Sequence, residues 1–384
     1  MRAEARLSAA IEILDAILAG QTAEVALTRW GRSNRFAGSG DRASLRDLVF
    51  DALRCKRSYA ALGGGLTGRG LILGGVRSRG ETPELLFTGE GHAPSVLGPA
   101  DMARSPLPNE ALDCPDWLAP RLQAALGSDF EPVLQAMRQR APVYVRVNLA
   151  RTTVAIAMEK LASAGLSSRR VSLARTALEI TENERKIHSC APYLEGEIEL
   201  QDAASQAVVE ALPLKDGMSV LDYCAGGGGK TLAMAAQARL QLVAHDAAAR
   251  RMVDLPARAA RAGASVRISE NLDMSKSYDL VLTDVPCSGS GSWRRDPQGK
   301  WALTTEKLAH LIDVQSDILN RVAPLVTPGG TLAYVTCSLL LEENEQQISA
   351  FLVKNPAFRQ GKQQRFTPLQ GGDGFFLAIL QRTA

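Results

Sequence analysis

The sequence predicts an α/β protein built around a parallel sheet, and three observations support this class. In the second half of the chain, short apolar stretches such as 219–223 and 278–284 alternate with segments of helical periodicity. These stretches are too uniformly apolar for a sheet with one face in water, which indicates strands covered on both faces. A run of glycines, Gly226–Gly229, directly follows the first of these strands, as expected for a strand-to-helix turn at a ligand site.

Length and composition are those of a globular chain with room for two or three domains. The chain has 384 residues, of which 46% are hydrophobic and 22% charged, and a net charge of +3 at pH 7. This small positive charge permits a nucleic-acid partner without indicating one. No uncharged run is long enough to span a membrane, and Glu12 and Asp15 interrupt the apolar N-terminal segment, so we expect neither a membrane anchor nor a signal peptide.

The cysteine pattern excludes two common structural roles. No CxxC pair and no Cys/His cluster occurs, so we expect no metal site, and so few cysteines in a long chain argue against a disulfide framework. Free thiols would be maintained in a reducing cytoplasm, which is therefore the expected compartment. The six cysteines are Cys55, Cys114, Cys190, Cys224, Cys287 and Cys337.

The N-terminal segment, residues 1–140, is predicted to be helical. Apolar residues recur at helical spacing from Leu7 to Leu18, and a second helix is expected to begin at Asp41 as its cap. The stretch 62–114 is rich in glycine and proline, and short helices are expected there, for example around Arg69–Val76. Pro115 is expected to open the next helix, and another should follow from residue 130.

Residues 141–202 predict a small α/β unit, and residues 203–384 the domain with the parallel sheet. In the small unit a helix should end at Gly165, and strands are expected at 143–147, 170–173, 178–181 and 198–200. In the last domain, strands are expected at 219–223, 241–245, 278–284, 331–336 and 375–381. Helices are expected between them at 203–212, 230–238, 248–262, 305–323 and 342–354.

The glycine loop predicts a nucleotide-type ligand. It runs through Cys224, Ala225, Gly226, Gly227, Gly228, Gly229 and Lys230. A phosphate-loop interpretation fails because Cys224 stands where that motif needs its first glycine. Asp246 ends the next strand, about 20 residues past the turn, where an acid commonly binds ribose hydroxyls. This fits S-adenosylmethionine or a dinucleotide, while the structural alternative is a glycine turn with a capping aspartate.

Two cysteines follow two other predicted strands. Cys287 lies in Asp284-Val285-Pro286-Cys287-Ser288, and Cys337 lies in Thr336-Cys337-Ser338. A thiolate that adds to C6 of a pyrimidine makes C5 nucleophilic enough to take a methyl group, and an acid such as Asp284 can stabilise the ring nitrogen. Trp293 and Trp301, interleaved with basic residues, are candidate stacking faces for bases. Spacing alone leaves open which cysteine is the nucleophile, and either could be an inert core residue.

These motifs resemble the bacterial 16S ribosomal RNA cytosine-C5 methyltransferase B family, kin to the Nop/Sun RNA methyltransferases. The resemblance covers the C-terminal domain in order, and Arg146-Val147-Asn148 resembles the family's small RNA-recognition-like domain. The N-terminal helices more weakly resemble its NusB-like RNA-binding domain. The matching C-terminal stretches are 201–206, 221–231, 284–291, 294–297, 300–301, 336–338, 342–344 and 373–376.

The resemblance implies a Rossmann-like fold at 203–384, S-adenosylmethionine as cofactor, RNA as partner and a monomer. In that family the cysteine of the Thr-Cys motif forms the bond to the base, which implies Cys337, and Cys287 assists release of the product. The cofactor would be held by the loop from Cys224 to Lys230, by Asp246 at the ribose and by Asp284 near the methyl donor. The adenine-side residue would be Glu270, with Asn271 as the alternative.

The chain departs from the family pattern at three places. Gly226-Gly227 replace the usual Ala-Pro, Leu341 stands where proline is frequent, and 62–114 matches poorly. Two other functions stay open: a DNA cytosine methyltransferase, against which the position of Cys337 argues, and a non-catalytic RNA-binding assembly protein.

Several basic and histidine residues have ambiguous roles. Arg250, Arg251, Arg258 and Arg261 are interpreted as a solvated helix face, whereas Arg169 and Arg170 are better candidates for phosphate contacts. His188 and His245 are expected to be structural.

Overall fold

The computed structural model describes residues 1–383 of the protein and contains two compact units. The first comprises Met1–Arg140 together with the short segment Trp293–Ala302. The second comprises Ala141–Ser292 and the residues from Leu303 onward. The segment Trp293–Ala302 therefore belongs to the first unit, with the N-terminal helices, although the residues before and after it belong to the second unit.

The helices and strands are numbered in chain order. The α-helices are α1 Ala3–Leu18, α2 Ala23–Ser33, α3 Ser39–Arg54, α4 Lys56–Gly63, α5 Gly68–Ser78, α6 Pro108–Ala111, α7 Ala119–Leu126, α8 Phe130–Met137, α9 Val154–Ser163, α10 Ala191–Leu194, α11 Ala203–Glu210, α12 Gly229–Ala235, α13 Leu255–Ala262, α14 Pro297–Ala302, α15 Thr305–Val322 and α16 Glu345–Lys354. The strands are β1 Val143–Val147, β2 Ser167–Arg170, β3 Ala177–Glu182, β4 Ile198–Leu200, β5 Ser219–Asp222, β6 Gln241–Ala244, β7 Arg267–Ile268, β8 Tyr278–Asp284, β9 Val326–Thr336, β10 Phe358–Phe366 and β11 Phe375–Arg382.

The first unit is helical, as predicted, but two helix starts differ from expectation. Helix α3 begins at Ser39, and the carboxylate of Asp41 pairs with the N-terminal ammonium at 3.0 Å rather than capping the helix. Pro115 precedes its helix, which begins only at Ala119. Helices α2 and α4 were not predicted from the sequence.

Within the first unit, the segment Trp293–Ala302 is anchored by hydrogen bonds to the end of α3. The indole of Trp301 donates to the carbonyl of Leu53 at 2.7 Å, and the ammonium of Lys300 donates to that of Arg54 at 3.3 Å. Burial removes Lys300 from water and lowers its pKa to about 8. Trp293 is buried, and the ammonium groups of Lys56 and Lys300 lie over the Trp301 ring at 5.4 and 4.5 Å from its centre, so the expected pair of open stacking faces is not present.

The small sheet of the second unit has the strand order β2-β3-β1-β4, with every neighbouring pair antiparallel. Three of its strands were predicted near their observed positions, but the strand expected at 170–173 lies at Ser167–Arg170. This edge strand is mostly exposed and has no apolar alternation, so the sequence carried no signal for its register.

The large sheet has the strand order β10-β11-β9-β8-β5-β6-β7. Strands β9, β8, β5, β6 and β7 are parallel, but β11 pairs antiparallel with β9 and β10 pairs antiparallel with β11. The expectation of a parallel sheet is therefore wrong at one edge. Strand β10 escaped prediction because its interior residues are polar and exposed, with only Phe358 and Phe366 buried at its ends.

Both faces of the large sheet are covered by apolar side chains, as predicted. Val220 and Leu221 are adjacent on β5 and both fully buried, yet they belong to different core clusters on opposite faces. On one face α11 and α12 supply the partners, and on the other α15 and α16 do so. No helix among residues 1–383 is long and apolar enough to cross a membrane.

Candidate active site

The residues expected at the site lie on loops at one edge of the large sheet. Strands β5, β6, β8 and β9 are parallel, so their carboxyl ends meet at the same edge. The glycine loop follows β5, Asp246 follows β6 after one intervening residue, Asp284 ends β8, and Cys337 follows β9. The sheet topology therefore brings together side chains that are far apart in the sequence.

The glycine loop adopts a path that only glycine follows without strain. Gly226 and Gly228 have φ angles of +52° and +80°, in the left-handed region. A Cβ atom on Gly228 would lie 2.2 Å from Cδ1 of Leu255, so helix α13 also approaches too closely for any other residue. Of the four glycines only Gly227 is exposed, and the loop ends at helix α12, which begins at Gly229.

Asp222 and Thr231 form a buried hydrogen bond beneath the loop. The hydroxyl of Thr231 donates to Oδ2 of Asp222 at 2.6 Å, while Oδ1 has no hydrogen-bond partner among the described residues. Burial raises the pKa of Asp222 to about 7; the Thr231 hydrogen bond opposes this, and the carboxylates of Asp284 and Asp246 add to it. This acid did not stand out in the sequence because an aspartate at a strand end is common.

Asp246 anchors the loop through its carboxylate. Oδ2 accepts from the backbone N–H of Gly226 at 2.9 Å, Oδ1 accepts from that of Ala248 at 2.9 Å, and the guanidinium of Arg251 lies 3.3 Å from Oδ2. Each carboxylate oxygen has two acceptor positions, so capacity remains for a hydroxyl group. The structure thus places Asp246 beside the glycine loop, as the ribose assignment requires.

Lys230 and Asp284 form an ion pair at the site. Nζ of Lys230 donates to Oδ2 of Asp284 at 2.5 Å, and the ammonium also lies 4.9 Å from the ring centre of Phe375. Burial works to lower the pKa of Lys230, but the adjacent Asp284 carboxylate outweighs it and the pKa is raised. Lys230 is therefore a buried permanent cation that holds Asp284 in place.

The two cysteines lie side by side. Their Sγ atoms are 3.5 Å apart, both thiols are free, and both residues are partly exposed. The hydroxyl of Ser292 lies 3.9 Å from the sulfur of Cys337. The pairing that the sequence suggested from two strand ends is therefore realised as direct contact.

The environment of the pair distinguishes the two thiols. The hydrogen bond from Cys287 lowers the pKa of Cys337, and the positive charge of Lys230 and the Ser292 hydroxyl lower it further against burial and Asp284. The same contact raises the pKa of Cys287, with burial and the negative charge of Glu343 adding to the effect. The favoured arrangement is a Cys337 thiolate that accepts a hydrogen bond from the Cys287 thiol.

Glu343 ties the two cysteine loops together. It is fully buried, and its carboxylate accepts hydrogen bonds from the backbone N–H of Ser288 at 2.7 Å and from the hydroxyls of Ser288 and Ser338. Gln315 donates to the same carboxylate at 3.0 Å. Ser288 follows Cys287 and Ser338 follows Cys337, so one carboxylate fixes both loops. The sequence showed Glu343 only as part of a matching motif.

Three other predicted residues have distinct surroundings. Cys224 is partly buried, and burial together with Asp222 raises the pKa of its thiol, which disfavours the thiolate form. Glu270 is exposed, two residues beyond β7, and no described contact links it to the loop. His245 Nδ1 lies 2.9 Å from the carbonyl of Ser269, consistent with the expected structural role. Among residues 1–383, no cluster of His, Cys, Asp and Glu could hold a metal ion.

The solvated-face interpretation of the arginines is wrong for Arg258 and Arg261. Both pair with the buried Glu199, at 3.5 and 2.7 Å, and Arg258 also donates to the carbonyl of Gly227 in the glycine loop. Arg251 contacts Asp246, as described above, although more than half of its side chain is exposed. Periodicity could not reveal these contacts because their partners lie in other elements.

Comparison with known families gives two matches. Residues 209–381 match the model described as 16S rRNA methyltransferase RsmB/F, and residues 114–187 match one described as an RsmF/B-like methyltransferase, ferredoxin-like domain. The second match begins inside the helical unit, and the domain boundaries at 140 and 202 stay predictions.

Individual relatives and solved structures are also similar to the chain. The chain is 33% identical over 282 residues to ribosomal RNA small subunit methyltransferase B of Citrobacter koseri, covering 69% of this chain and 66% of that protein, just under two thirds. The crystal structure of PH0851 matches with a TM-score of 0.76 at 22% identity, over 100% of this chain and 99% of that one. A methyltransferase homolog protein from Pyrococcus horikoshii matches with a TM-score of 0.62 at 25% identity, over 71% and 96% of the two chains.

Proposed function

We propose that this chain belongs to the 16S rRNA methyltransferase RsmB/F family and is an S-adenosylmethionine-dependent RNA (cytosine-C5) methyltransferase acting on 16S ribosomal RNA. The observation that carries the proposal is the thiol pair of Cys287 and Cys337, 3.5 Å apart, at the sheet edge that also carries the glycine loop and Asp246. A covalent thiol catalyst beside a nucleoside site fits C5 methylation of a pyrimidine.

The residues present suit S-adenosylmethionine. The carboxylate of Asp246 can accept hydrogen bonds from ribose hydroxyls. The loop from Cys224 to Gly229 allows close approach to its backbone. Lys230 supplies a positive charge and Asp284 a negative charge. We assign the adenine side to Glu270, which is exposed beyond β7. When bound, S-adenosylmethionine supplies an electrophilic methyl group.

Cys337 is the proposed nucleophile. Its thiolate bonds to C6 of the cytosine, the C5–C6 double bond opens, and its electron pair makes C5 nucleophilic. After C5 takes the methyl group, its proton passes to water, the electron pair of that C–H bond reforms the C5–C6 double bond, and the Sγ–C6 bond breaks to return the thiolate. The lowered pKa of Cys337 favours the thiolate form that this sequence needs.

Cys287 and Asp284 are assigned supporting roles. The Cys287 thiol, with its raised pKa, hydrogen-bonds the Cys337 sulfur and assists its departure from the methylated base. As negative charge develops on the ring during addition, N3 takes up a proton from water, and the carboxylate of Asp284, held by Lys230, accepts a hydrogen bond from that N–H. Since C6 is inaccessible within a base stack, the target nucleotide must be unstacked first.

The remaining parts of the chain are assigned to RNA. The helical segment 1–140 is proposed as a NusB-like RNA-binding domain and 141–202 as an RNA-recognition-like domain, with Arg169 and Arg170 on the exposed strand β2 as phosphate contacts. We further propose that the protein acts as a monomer in the cytoplasm, where its free thiols stay reduced.

Methyl transfer to RNA tests this function. Purified protein is incubated with radiolabelled S-adenosylmethionine and 16S rRNA from a strain lacking the gene, with equal amounts of duplex DNA in a parallel reaction. We expect label in RNA, with bisulfite sequencing placing it at a cytosine. Label in DNA alone would instead establish a DNA methyltransferase. Binding of RNA without any transfer or cofactor binding would establish a non-catalytic RNA-binding protein.

A further inference from the structure

The glycine loop lacks side chains that could fix its own path. Residues 226–229 are all glycine, so the loop has more conformational freedom than any other four-residue stretch could have. Resting on the proposed function, we propose that the small α/β unit is part of the cofactor site: its strands β1 and β4 hold the loop in its binding conformation through Arg146 and Arg258, which act as positioning residues.

Arg258 connects the loop to strand β4. Nη1 of its guanidinium donates to the carbonyl of Gly227, and Nη2 lies 3.5 Å from Oε1 of Glu199 on β4. The side chain is only 22% exposed, and that of Glu199 is 8% exposed. A planar guanidinium clamped by a buried carboxylate can hold a backbone carbonyl in one place.

Arg146 makes a second, direct connection from strand β1. Its guanidinium donates to the carbonyl of Gly229 at 2.9 Å and to the side-chain oxygen of Gln201 at 2.5 Å. Arg146 is only 3% exposed, so this cation is placed inside the protein to serve those acceptors. Two of the four loop carbonyls are thus held by arginines whose positions depend on the small unit.

Helix α13, which carries Arg258, is itself fixed against the small unit. The side chain of Asn148 donates to the carbonyls of Ala262 at the end of α13 and of Gly196, both at 3.0 Å. A Cβ atom on Gly196 would lie 1.9 Å from the carbonyl oxygen of Arg261, so this approach requires glycine. The small unit therefore fixes both the helix position from which the Arg258 side chain extends and the carboxylate of Glu199 with which it pairs.

The consequence is preorganisation of the cofactor site. Because the two arginines already hold the carbonyls of Gly227 and Gly229, the loop loses little conformational entropy when the cofactor binds. Without these hydrogen bonds, the entropy lost on ordering the loop would reduce the free energy of cofactor binding. Substitution of Arg258 should consequently weaken cofactor binding without touching the thiols. This differs from a role of the small unit in RNA binding alone, which would leave cofactor affinity unchanged.

Calorimetric titration of the full chain with S-adenosylhomocysteine provides the test. Arg258→Met should weaken binding about tenfold, the size expected for one charge-assisted hydrogen bond, and Arg258→Lys should recover part of the loss. In turnover, the KM for S-adenosylmethionine should rise while the KM for RNA does not. Glu199→Gln, which frees Arg258 from its anchor without removing it, should weaken binding in the same direction.

Arg261→Met is the matched control. Arg261 lies on the same helix and pairs with the same Glu199 at 2.7 Å, but no hydrogen bond described for residues 1–383 joins it to the loop. We expect its affinity to stay within about twofold of the unmodified chain. Equal binding by Arg258→Met and the unmodified chain, or an equal loss in Arg261→Met, overturns the inference while leaving the proposed function intact. Failure of the unmodified chain to bind overturns both.

Discussion

The sulfur atoms of Cys287 and Cys337 lie 3.5 Å apart although 50 residues separate them in the chain. Strands β8 and β9 are parallel neighbours, so the loops at their carboxyl ends meet at one edge of the sheet. Contact between the thiols lets one donate a hydrogen bond to the other, and the favoured direction has Cys337 as the acceptor, because this contact lowers the pKa of Cys337 and raises that of Cys287. The proposed division of labour between nucleophile and assistant follows from this asymmetry.

Removal of each thiol should block a different step of the reaction: bond formation to the base for Cys337 and release of the product for Cys287. Cys337→Ala should reduce methyl transfer by about 10³-fold or more, because no nucleophile remains to activate C5. Cys287→Ala should still form the bond to the base but release it poorly, leaving a protein–RNA adduct that survives denaturing electrophoresis. Full turnover by Cys337→Ala would refute its role as nucleophile, and an adduct that depends on Cys287 instead would reverse the two assignments.

Lys230 and Asp284 should shift the reactivity of Cys337 in opposite directions. The Lys230 cation lowers the pKa of this thiol and the Asp284 carboxylate raises it. Lys230→Met should therefore move the onset of iodoacetamide alkylation of Cys337 to higher pH, and Asp284→Asn should move it to lower pH. Mass spectrometry of the Cys337 peptide between pH 5 and 9 measures this without requiring turnover. Shifts of the same sign would contradict the electrostatic explanation.

Glu343 should control the geometry of the thiol pair. Glu343→Ala removes a buried acceptor used by Ser288, Ser338 and Gln315, which should cost about 3 kcal/mol of stability. Turnover should fall at least about tenfold at temperatures where the variant stays folded, because the two loops are no longer joined. Glu306→Gln, at an exposed carboxylate in the first turn of α15 that accepts a hydrogen bond from Thr305, serves as the control. Equal turnover in both variants would show that Glu343 is not needed for alignment.

Gly291→Ala should separate the loop after β8 from the segment before β11. A Cβ atom there would lie 2.1 Å from the carbonyl oxygen of Gly374, while Gly291 itself donates to the carbonyl of Cys337 at 2.9 Å. We expect a lower melting temperature and reduced turnover. Gly40→Ala is the control, since its Cβ would meet nothing within 4 Å and alanine favours a helix. Full activity of Gly291→Ala would mean that the backbone near Gly291 and Gly374 can move apart without affecting the site.

Asp222 should make stability depend on pH in an unusual direction. Its pKa is raised from 3.8 to about 7, so the folded chain holds a proton that the unfolded chain releases. Stability from this group is complete below about pH 4 and is lost as the pH rises through 7. Relative to Asp222→Asn, the wild type should therefore lose on the order of 1 kcal/mol per pH unit across this interval.

Denaturant titrations between pH 4.5 and 7.5 measure the effect of Asp222. Asp216→Asn is the control, because Arg239 lowers the pKa of the exposed Asp216. Its backbone and side-chain hydrogen bonds favour the ionised form, so the Asp216 contribution should be small and opposite in sign. A pH-independent difference between wild type and Asp222→Asn would show that Asp222 stays ionised when buried.

The sequence by itself determined the fold class, the glycine loop, the strand that delivers Asp284 and the two cysteine motifs. Each rests on a local pattern: apolar runs for buried strands, consecutive glycines for a turn, and a motif at a strand end. It did not determine strands whose residues are polar, and both β2 and β10 were misplaced or missed for that reason.

Only the tertiary structure decided which residues support the site. Glu343, Arg146 and Arg258 act through partners in distant elements, and their spacing in the sequence resembles that of any solvated charged residue. The lowered pKa of Cys337 likewise depends on its hydrogen bond with Cys287, and on Lys230 and Ser292 acting against Asp284, all of which the fold brings around one sulfur. Local patterns encode secondary structure because periodicity is local, whereas electrostatic environment is set by the arrangement of the whole sheet edge.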